Sequence, residues 1–361
     1  MDDATVALAE RAALGSLLLE PENLDHVRAW LRPDDFADWW RAQAYTALLE
    51  RRIAGEPIGV EHLAQDLVDR LGERSGDRLR VVDLLHDAPG IPATLTYARM
   101  VAEAGLRREV AGQGVLLRAG ALQSAMADSA GPLASACLLV DSTLESIARR
   151  WADATGRPRT PSPGPTMLRP PVKPLELRAG ADKFLADRPP RDPVAEREHA
   201  VTLIGSLIAH PEAIEAVADW LRPSQIADPG WRAVYGVASD LAARGEPIDP
   251  VTVAWRVAPL RTREVPVPSV EDLVRTADDG WFDHPVHAAR IVAGEQARAL
   301  ADRISTHLED AAADPTVELA EILDTAGAFT NALRHVSVGL AHDTAPAVIE
   351  PPDLNRGPVA G

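Results

Sequence analysis

A single cysteine, Cys137, occurs in 361 residues, which excludes an intramolecular disulfide and a cysteine-built zinc site. Lysine is nearly as scarce. Only Lys173 and Lys183 occur, so arginine carries almost all the positive charge, a bias expected of a GC-rich coding sequence rather than of a chemistry. Positive charge is in deficit overall, with a formal net charge of -17. A phosphate backbone is gripped mainly by Lys and Arg, so the balance argues against direct nucleic-acid binding. Aromatic residues make up 4%, too few for a β-sandwich core rich in aromatic and β-branched side chains. No apolar run reaches the roughly 18–20 residues that span a bilayer. The opening Met1-Asp2-Asp3-Ala4 lacks the basic start of a signal peptide. The expected location is the cytoplasm, with no membrane partner.

What the sequence does have is alanine and leucine, within a 46% hydrophobic share. These residues lose little on entering a helix, so the expected fold class is all-α. The length suits two domains better than one core.

A repeat makes that division concrete. Gly15-Ser16-Leu17 returns 190 residues later as Gly205-Ser206-Leu207. The same spacing carries Pro21-Glu22 onto Pro211-Glu212 and Trp30-Leu31-Arg32-Pro33 onto Trp220-Leu221-Arg222-Pro223. It also carries Ala37-Asp38 onto Ala227-Asp228, Tyr45 onto Tyr235, and Gly55-Glu56-Pro57-Ile58 onto Gly245-Glu246-Pro247-Ile248. No gap is needed from 15 to 58, so the chain contains one domain twice.

Apolar spacing and helix stop signals predict the elements of each copy. An opening helix covers Ala7–Leu19 or Glu196–Ile208. A second runs from Pro21 or Pro211 to Trp30 or Trp220, where the following proline stops it. A third covers Trp40–Ala54 or Trp231–Arg244 and ends at Gly55 or Gly245. A fourth covers Val60–Leu71 or Pro250–Val257, and a short one Leu79–His86 or Val270–Ala277. Two long helices, Ala93–Met126 with Leu133–Trp151 and Pro285–Glu309 with Val317–Leu333, then form helical hairpins. The expected architecture is thus two copies of a small helical-bundle domain, each followed by a hairpin: 1–155 and 194–338. Between them, 156–193 holds ten prolines and eight Lys/Arg against Glu176, Asp182, Asp187 and Asp192. It reads as a semi-extended Pro/Arg-rich linker. Residues 339–361 read as a disordered tail.

The ordered set of motifs resembles the N-terminal collar domain of DnaB-type bacterial replicative helicases. The residues that carry the resemblance are Leu14-Gly15-Ser16-Leu17-Leu18, Pro21-Glu22, Arg32-Pro33-Asp34-Asp35-Phe36, Tyr45, Gly55-Glu56-Pro57-Ile58 and Tyr97-Ala98-Arg99-Met100-Val101. The second copy keeps Ile204-Gly205-Ser206-Leu207-Ile208, Arg222-Pro223 and Gly245-Glu246-Pro247-Ile248, and departs at Ile226 and at His287-Ala288. These are packing motifs, so they speak for fold more than for activity. The resemblance implies that the hairpins pair subunits and that the collar meets primase and loaders. It also implies that the motor belongs to a separate C-terminal ATPase domain.

Neither lysine fits a phosphate-binding P-loop, which needs Gly-Lys-Ser/Thr at its end: Lys173 lies between Val172 and Pro174, and Lys183 precedes Phe184. The expectation is therefore a non-enzyme with no catalytic residue, cofactor or metal, since the remaining length leaves no room for a motor. His284 and His287 read as a helix start rather than a metal site, and Cys137 as a small buried hydrophobe. Asp83 with His86, and Asp278-Asp279, read as solvated helix faces. Adjacent Trp39 and Trp40 cannot both face one core from a helix, which makes them candidate partner contacts. Under the resemblance, Leu133, Leu144 and Trp151 on the second hairpin helix join them.

The leading expectation is a non-catalytic interaction protein of DNA replication, a primosome-type component. It would pair with itself, with another copy, or with a helicase, primase or loader. The alternative is a degenerate helicase paralogue with an unrelated regulatory or scaffolding role.

Overall fold

A computed structural model describes residues 2–73, 78–88, 93–157, 174–338 and 340. Among these, fifteen α-helices and no strand occur, so the fold is all-α. The predicted tail (apart from Leu340) and the Pro-Ser-Pro-Gly-Pro run at 161–165 lie outside the described residues.

The first copy contributes α1 (Asp3–Leu19), α2 (Leu24–Val27), α3 (Trp39–Ala54), α4 (Val60–Leu71), α5 (Arg78–His86) and the hairpin α6 (Thr94–Ala127) and α7 (Gly131–Thr155). After α8 (Pro174–Ala186), the second contributes α9 (Pro193–Ala209), α10 (Ile214–Ala218), α11 (Pro229–Ala243), α12 (Pro250–Val257), α13 (Val270–Gly280) and the hairpin α14 (Pro285–Ala313) and α15 (Leu319–Val338).

Two expectations change. The helix expected from Pro21 to Trp30 is a 3₁₀ turn at Pro21–Asn23 followed by the single turn α2. The chain then bends through Trp30 N–H to Val27 O and Leu31 N–H to Val27 O, and Trp30 and Leu31 are both buried. The bend turns both side chains into the first copy's core. Inside the expected extended linker, α8 forms because Leu175 to Ala186 contains no proline and Pro174 sits at its start, where a missing N–H costs nothing.

Several repeated residues have the same local reason in both copies. Asp38 and Asp228 cap the third helix, accepting from Arg41 N–H at 2.9 Å and Trp231 N–H at 3.0 Å. Gly55 and Gly245 follow that helix at φ +71° and +64°, where a side chain would be strained. Gly15 and Gly205 permit close helix crossings: a Cβ would stand 2.0 Å from Leu84 O and 2.1 Å from Thr276 O.

The chain divides into two compact units, and the division cuts through both hairpins. Among the described residues, unit 1 gathers those within 2–122, 132–189 and 299–334, and unit 2 gathers 123–131, 190–298, 335–338 and 340. The turn of the second hairpin therefore belongs to the unit built on the first copy, and the turn of the first hairpin belongs to the unit built on the second.

Candidate interaction surface

In each copy the repeated tyrosine fastens the Trp-Leu-Arg-Pro turn. Tyr45 Oη donates to Leu31 O at 3.3 Å, and Tyr235 Oη donates to Leu221 O at 2.7 Å. Both rings are fully buried, and burial pushes the Tyr235 hydroxyl up to about 12. The two turns are finished differently. In the first copy the Asp35 carboxylate accepts from Arg32 N–H at 2.7 Å and from Arg150 Nη2 on α7. Arg150 also donates to Trp30 O at 3.0 Å and pairs with Glu109 at 3.1 Å. This buried network ties the turn to both helices of its hairpin. Burial pushes the Asp35 and Glu109 carboxyls above their ordinary range, with Arg150 opposing the shift in each. In the second copy the matching residue is Gln225, which accepts from Arg222 N–H at 2.6 Å and, being uncharged, offers no ion pair.

Unit 1 holds a four-helix arrangement of α6, α7, α15 and the last half of α14. Its interior includes Leu106, Val110, Leu117, Leu133, Cys137, Ile147, Ile304 and Ile322. Close approach depends on Gly114, where a Cβ would stand 2.6 Å from Ser305 Cα. Arg107, itself buried, closes the turn between α14 and α15: it donates to Asp314 O at 2.9 Å and Val317 O at 2.7 Å. Arg118 pairs with Asp302 at 2.9 Å, and Arg334 pairs with Asp141. Within unit 2, Arg290 of α14 pairs with Asp128 of the α6–α7 turn at 3.2 Å.

The predicted contact residues divide accordingly. Trp39 is 62% exposed, while Trp40 lies in the core under the Arg80 guanidinium, 4.3 Å from the ring centre. Leu133 and Leu144 are buried inside unit 1, and Trp151 is half-buried against the first copy's core. Cys137 is buried, and desolvation raises its thiol to about 11. His284 and His287 are exposed, and no group of three or more metal-ligating side chains occurs among the described residues. Asp83 and His86 are exposed, and the His86 ring meets Val82 O rather than Asp83. Sequence reasoning passed over Arg107 and Arg150. The signal available was an arginine placed beside the apolar stripe of a hairpin helix, where a solvated face is the ordinary reading. No single helix among the described residues is long and apolar enough to cross a membrane.

A family model for the DnaB-like helicase N terminal domain matches residues 5–103 and, separately, residues 189–292. No curated protein and no solved structure matches. The two matched stretches cover more than half of the chain, and each runs from the opening helix into the first helix of a hairpin. The chain belongs to the DnaB-like helicase N-terminal domain family, whose domain it carries twice.

Proposed function

We propose that this chain is a non-catalytic protein-interaction module of DNA replication whose two collar-type domains are paired through their own hairpins. The observation that carries this reading is the packing of residues 299–334, from the second hairpin, with α6 and α7 of the first inside one unit. Hairpin surface that separate subunits would otherwise share is buried within a single chain, at Leu133, Leu144, Ile304 and Ile322. The faces left outward, including Trp39, then serve a helicase, primase or loader. The sequence supports action without a motor of its own, because neither Lys173 nor Lys183 sits in a P-loop pattern.

Native mass spectrometry tests the reading. The purified protein is expected at the mass of one chain, with a heavier complex on adding a replicative helicase, a primase or a loader from the same cell. Absence of a complex with all three overturns the replication role, and a stable dimer of the protein alone overturns the self-pairing. The divergence of the second copy at Gln225, Ile226 and His287 favours one second reading, a paralogue that keeps the fold for regulation elsewhere. That reading predicts that none of the three partners binds.

A further inference from the structure

In the second copy, the corner between α13 and α14 exposes two adjacent aromatic rings. Trp281 is 60% and Phe282 92% exposed, in a chain otherwise poor in aromatics. Their neighbours Asp278, Asp279 and Asp283 are exposed too, and among the described residues none of the three forms an ion pair. Arginine is not lacking elsewhere in the fold, and Arg275 on the same helix is held by Asp272 at 2.8 Å.

The corner is also held in shape. The His210 ring lies 5.3 Å from the Trp281 ring, and His210 Nε2 lies 3.0 Å from Trp281 O. Gly280 presses so closely on α9 that a Cβ would stand 2.3 Å from Gly205 C. Asp283 N–H donates to Gly280 O, and Pro285 starts the next helix. Trp281 is thus supported on one side and open elsewhere, so a ligand need not order it.

Nothing in the repeat fold requires these side chains. In the first copy the stretch between α5 and α6 reads Asp87-Ala88-Pro89-Gly90-Ile91-Pro92-Ala93, with no aromatic and a single acid, Asp87, that pairs with Arg11 at 3.3 Å. Exposing two large rings has no folding benefit, and apolar surface ringed by polar groups marks interaction sites. The three acids at the rim carry one sign, and Arg275 on the same helix is held by Asp272, which selects the partner: guanidinium or ammonium groups would meet carboxylates at the rim and aromatic faces at the centre. Anionic partners, including nucleic acid, are repelled.

We propose that the Asp278–Asp283 corner is a docking surface for a basic segment of a partner protein, gripped by Trp281 and Phe282 and steered by Asp278, Asp279 and Asp283. This does not depend on the hairpin reading above, since the corner can capture a basic segment whether or not a helicase or primase binds the chain.

Fluorescence anisotropy with the full chain tests it, using a labelled helical peptide with Arg on one face and Leu on the other. The counterpart peptide carries Glu in place of Arg. Binding of the Arg peptide is expected to weaken about tenfold or more in W281A/F282A and in D278N/D279N/D283N. It should stay unchanged in W39A and in D2N/E73Q/D153N, which removes the same charge from exposed acids elsewhere. All substituted side chains are exposed, and an unchanged unfolding midpoint checks that the variants fold. No binding of the Arg peptide, equal binding of the Glu peptide, or unaltered binding by the corner variants overturns the proposal. So does equal weakening in the control triple, which would reduce the effect to net charge. A wild-type dimer that W281A/F282A dissociates would make the corner a contact between copies and also overturn it.

Discussion

Arg107 of the first hairpin donates to the backbone carbonyl of Val317 at 2.7 Å, so a side chain from one copy completes the turn of the other copy's hairpin. The residues are 210 apart in sequence. Arg107 Nη1 donates to Asp314 O, and Nε and Nη2, the latter shared with Val317 O, donate to Glu103 at 3.0 and 2.8 Å. The guanidinium fork is thereby shared between an acid on its own helix and two carbonyls of a turn, a division suited to arginine's several fixed donors.

Removing that fork should loosen the hairpin assembly in particular. Arg107→Ala leaves two carbonyls of the turn without their charged donor, and about 2 kcal/mol of stability should be lost. Arg107→Lys, with one point charge in place of a planar fork, should recover only part. Urea unfolding measures both. The protection of α14–α15 amides against hydrogen exchange should fall more than that of α1–α3, and an even loss across the chain would count against this assignment.

The glycines at helix crossings give sharper expectations because their geometry differs site by site. Gly15→Ala, Gly205→Ala and Gly114→Ala each place a Cβ 2.0–2.6 Å from backbone atoms, which a packed core cannot yield without shifting a helix. Each should cost about 1–3 kcal/mol, with Gly114→Ala acting on the paired hairpins. Gly327, within α15, has nothing within 4 Å of such a Cβ. Gly327→Ala should therefore stabilise by roughly 0.5–1 kcal/mol through helix propensity alone. Thermal unfolding of the four variants would show opposite signs.

How much of this was legible in the sequence depends on the range of the interaction. The helix-ending Gly55 and Gly245 act within a few residues, so sequence spacing alone placed them; Asp38 and Asp228 were visible only as a repeat, and their capping role comes from the fold. The glycine of Leu14-Gly15-Ser16 was visible as a repeat, but its purpose depends on Leu84, which arrives from another helix. The tie from Arg150 to Asp35 spans 115 residues and leaves no local pattern. The exchange of hairpin turns is not encoded in periodicity, because an apolar stripe looks the same whether a copy, a subunit or its own chain covers it. Trp39 and Trp40 fall between these cases. Helical geometry required them to diverge, yet only the fold shows that Trp40 is the one inside. Prolines at both ends of the linker masked α8.

Asp249 offers a test with a pH signature. Its carboxylate caps α12, accepting from Val251 N–H, Thr252 N–H and the Thr252 hydroxyl. The Thr252 hydroxyl and backbone N–H hold this carboxyl below its ordinary range, aided by Val251 N–H. A group with a depressed folded pKa contributes stability above its unfolded value and loses it as pH falls through the folded one. Asp249→Ala should thus cost about 1 kcal/mol at neutral pH. The gap from wild type should narrow as the pH drops from about 4, where the unfolded carboxyl titrates. Calorimetry from neutral to acid pH checks the trend. The first copy has Gly59 here, with no side-chain cap.

The two copies also offer a natural comparison for a buried charge. Glu10 is fully buried, accepting from Ala37 N–H at 2.5 Å and pairing with Arg41 Nε at 2.7 Å. At the same repeat positions the second copy has Ala200 and Trp231, both buried and apolar. One fold therefore accommodates either an ion pair or an apolar contact there. What it should not accommodate is half a pair. Desolvation of a charge is repaid only by its partner, so Arg41→Ala, which strands the Glu10 carboxylate, should cost about 3 kcal/mol. Replacing both, as in Glu10→Ala with Arg41→Met, should return to within about 1 kcal/mol of wild type, giving a strongly non-additive cycle. Chemical unfolding of the single and double variants measures it. If the double variant is as unstable as the sum of its singles, the pair does more than satisfy its own charges. The apolar solution in the second copy would then rest on surroundings that the first copy does not share.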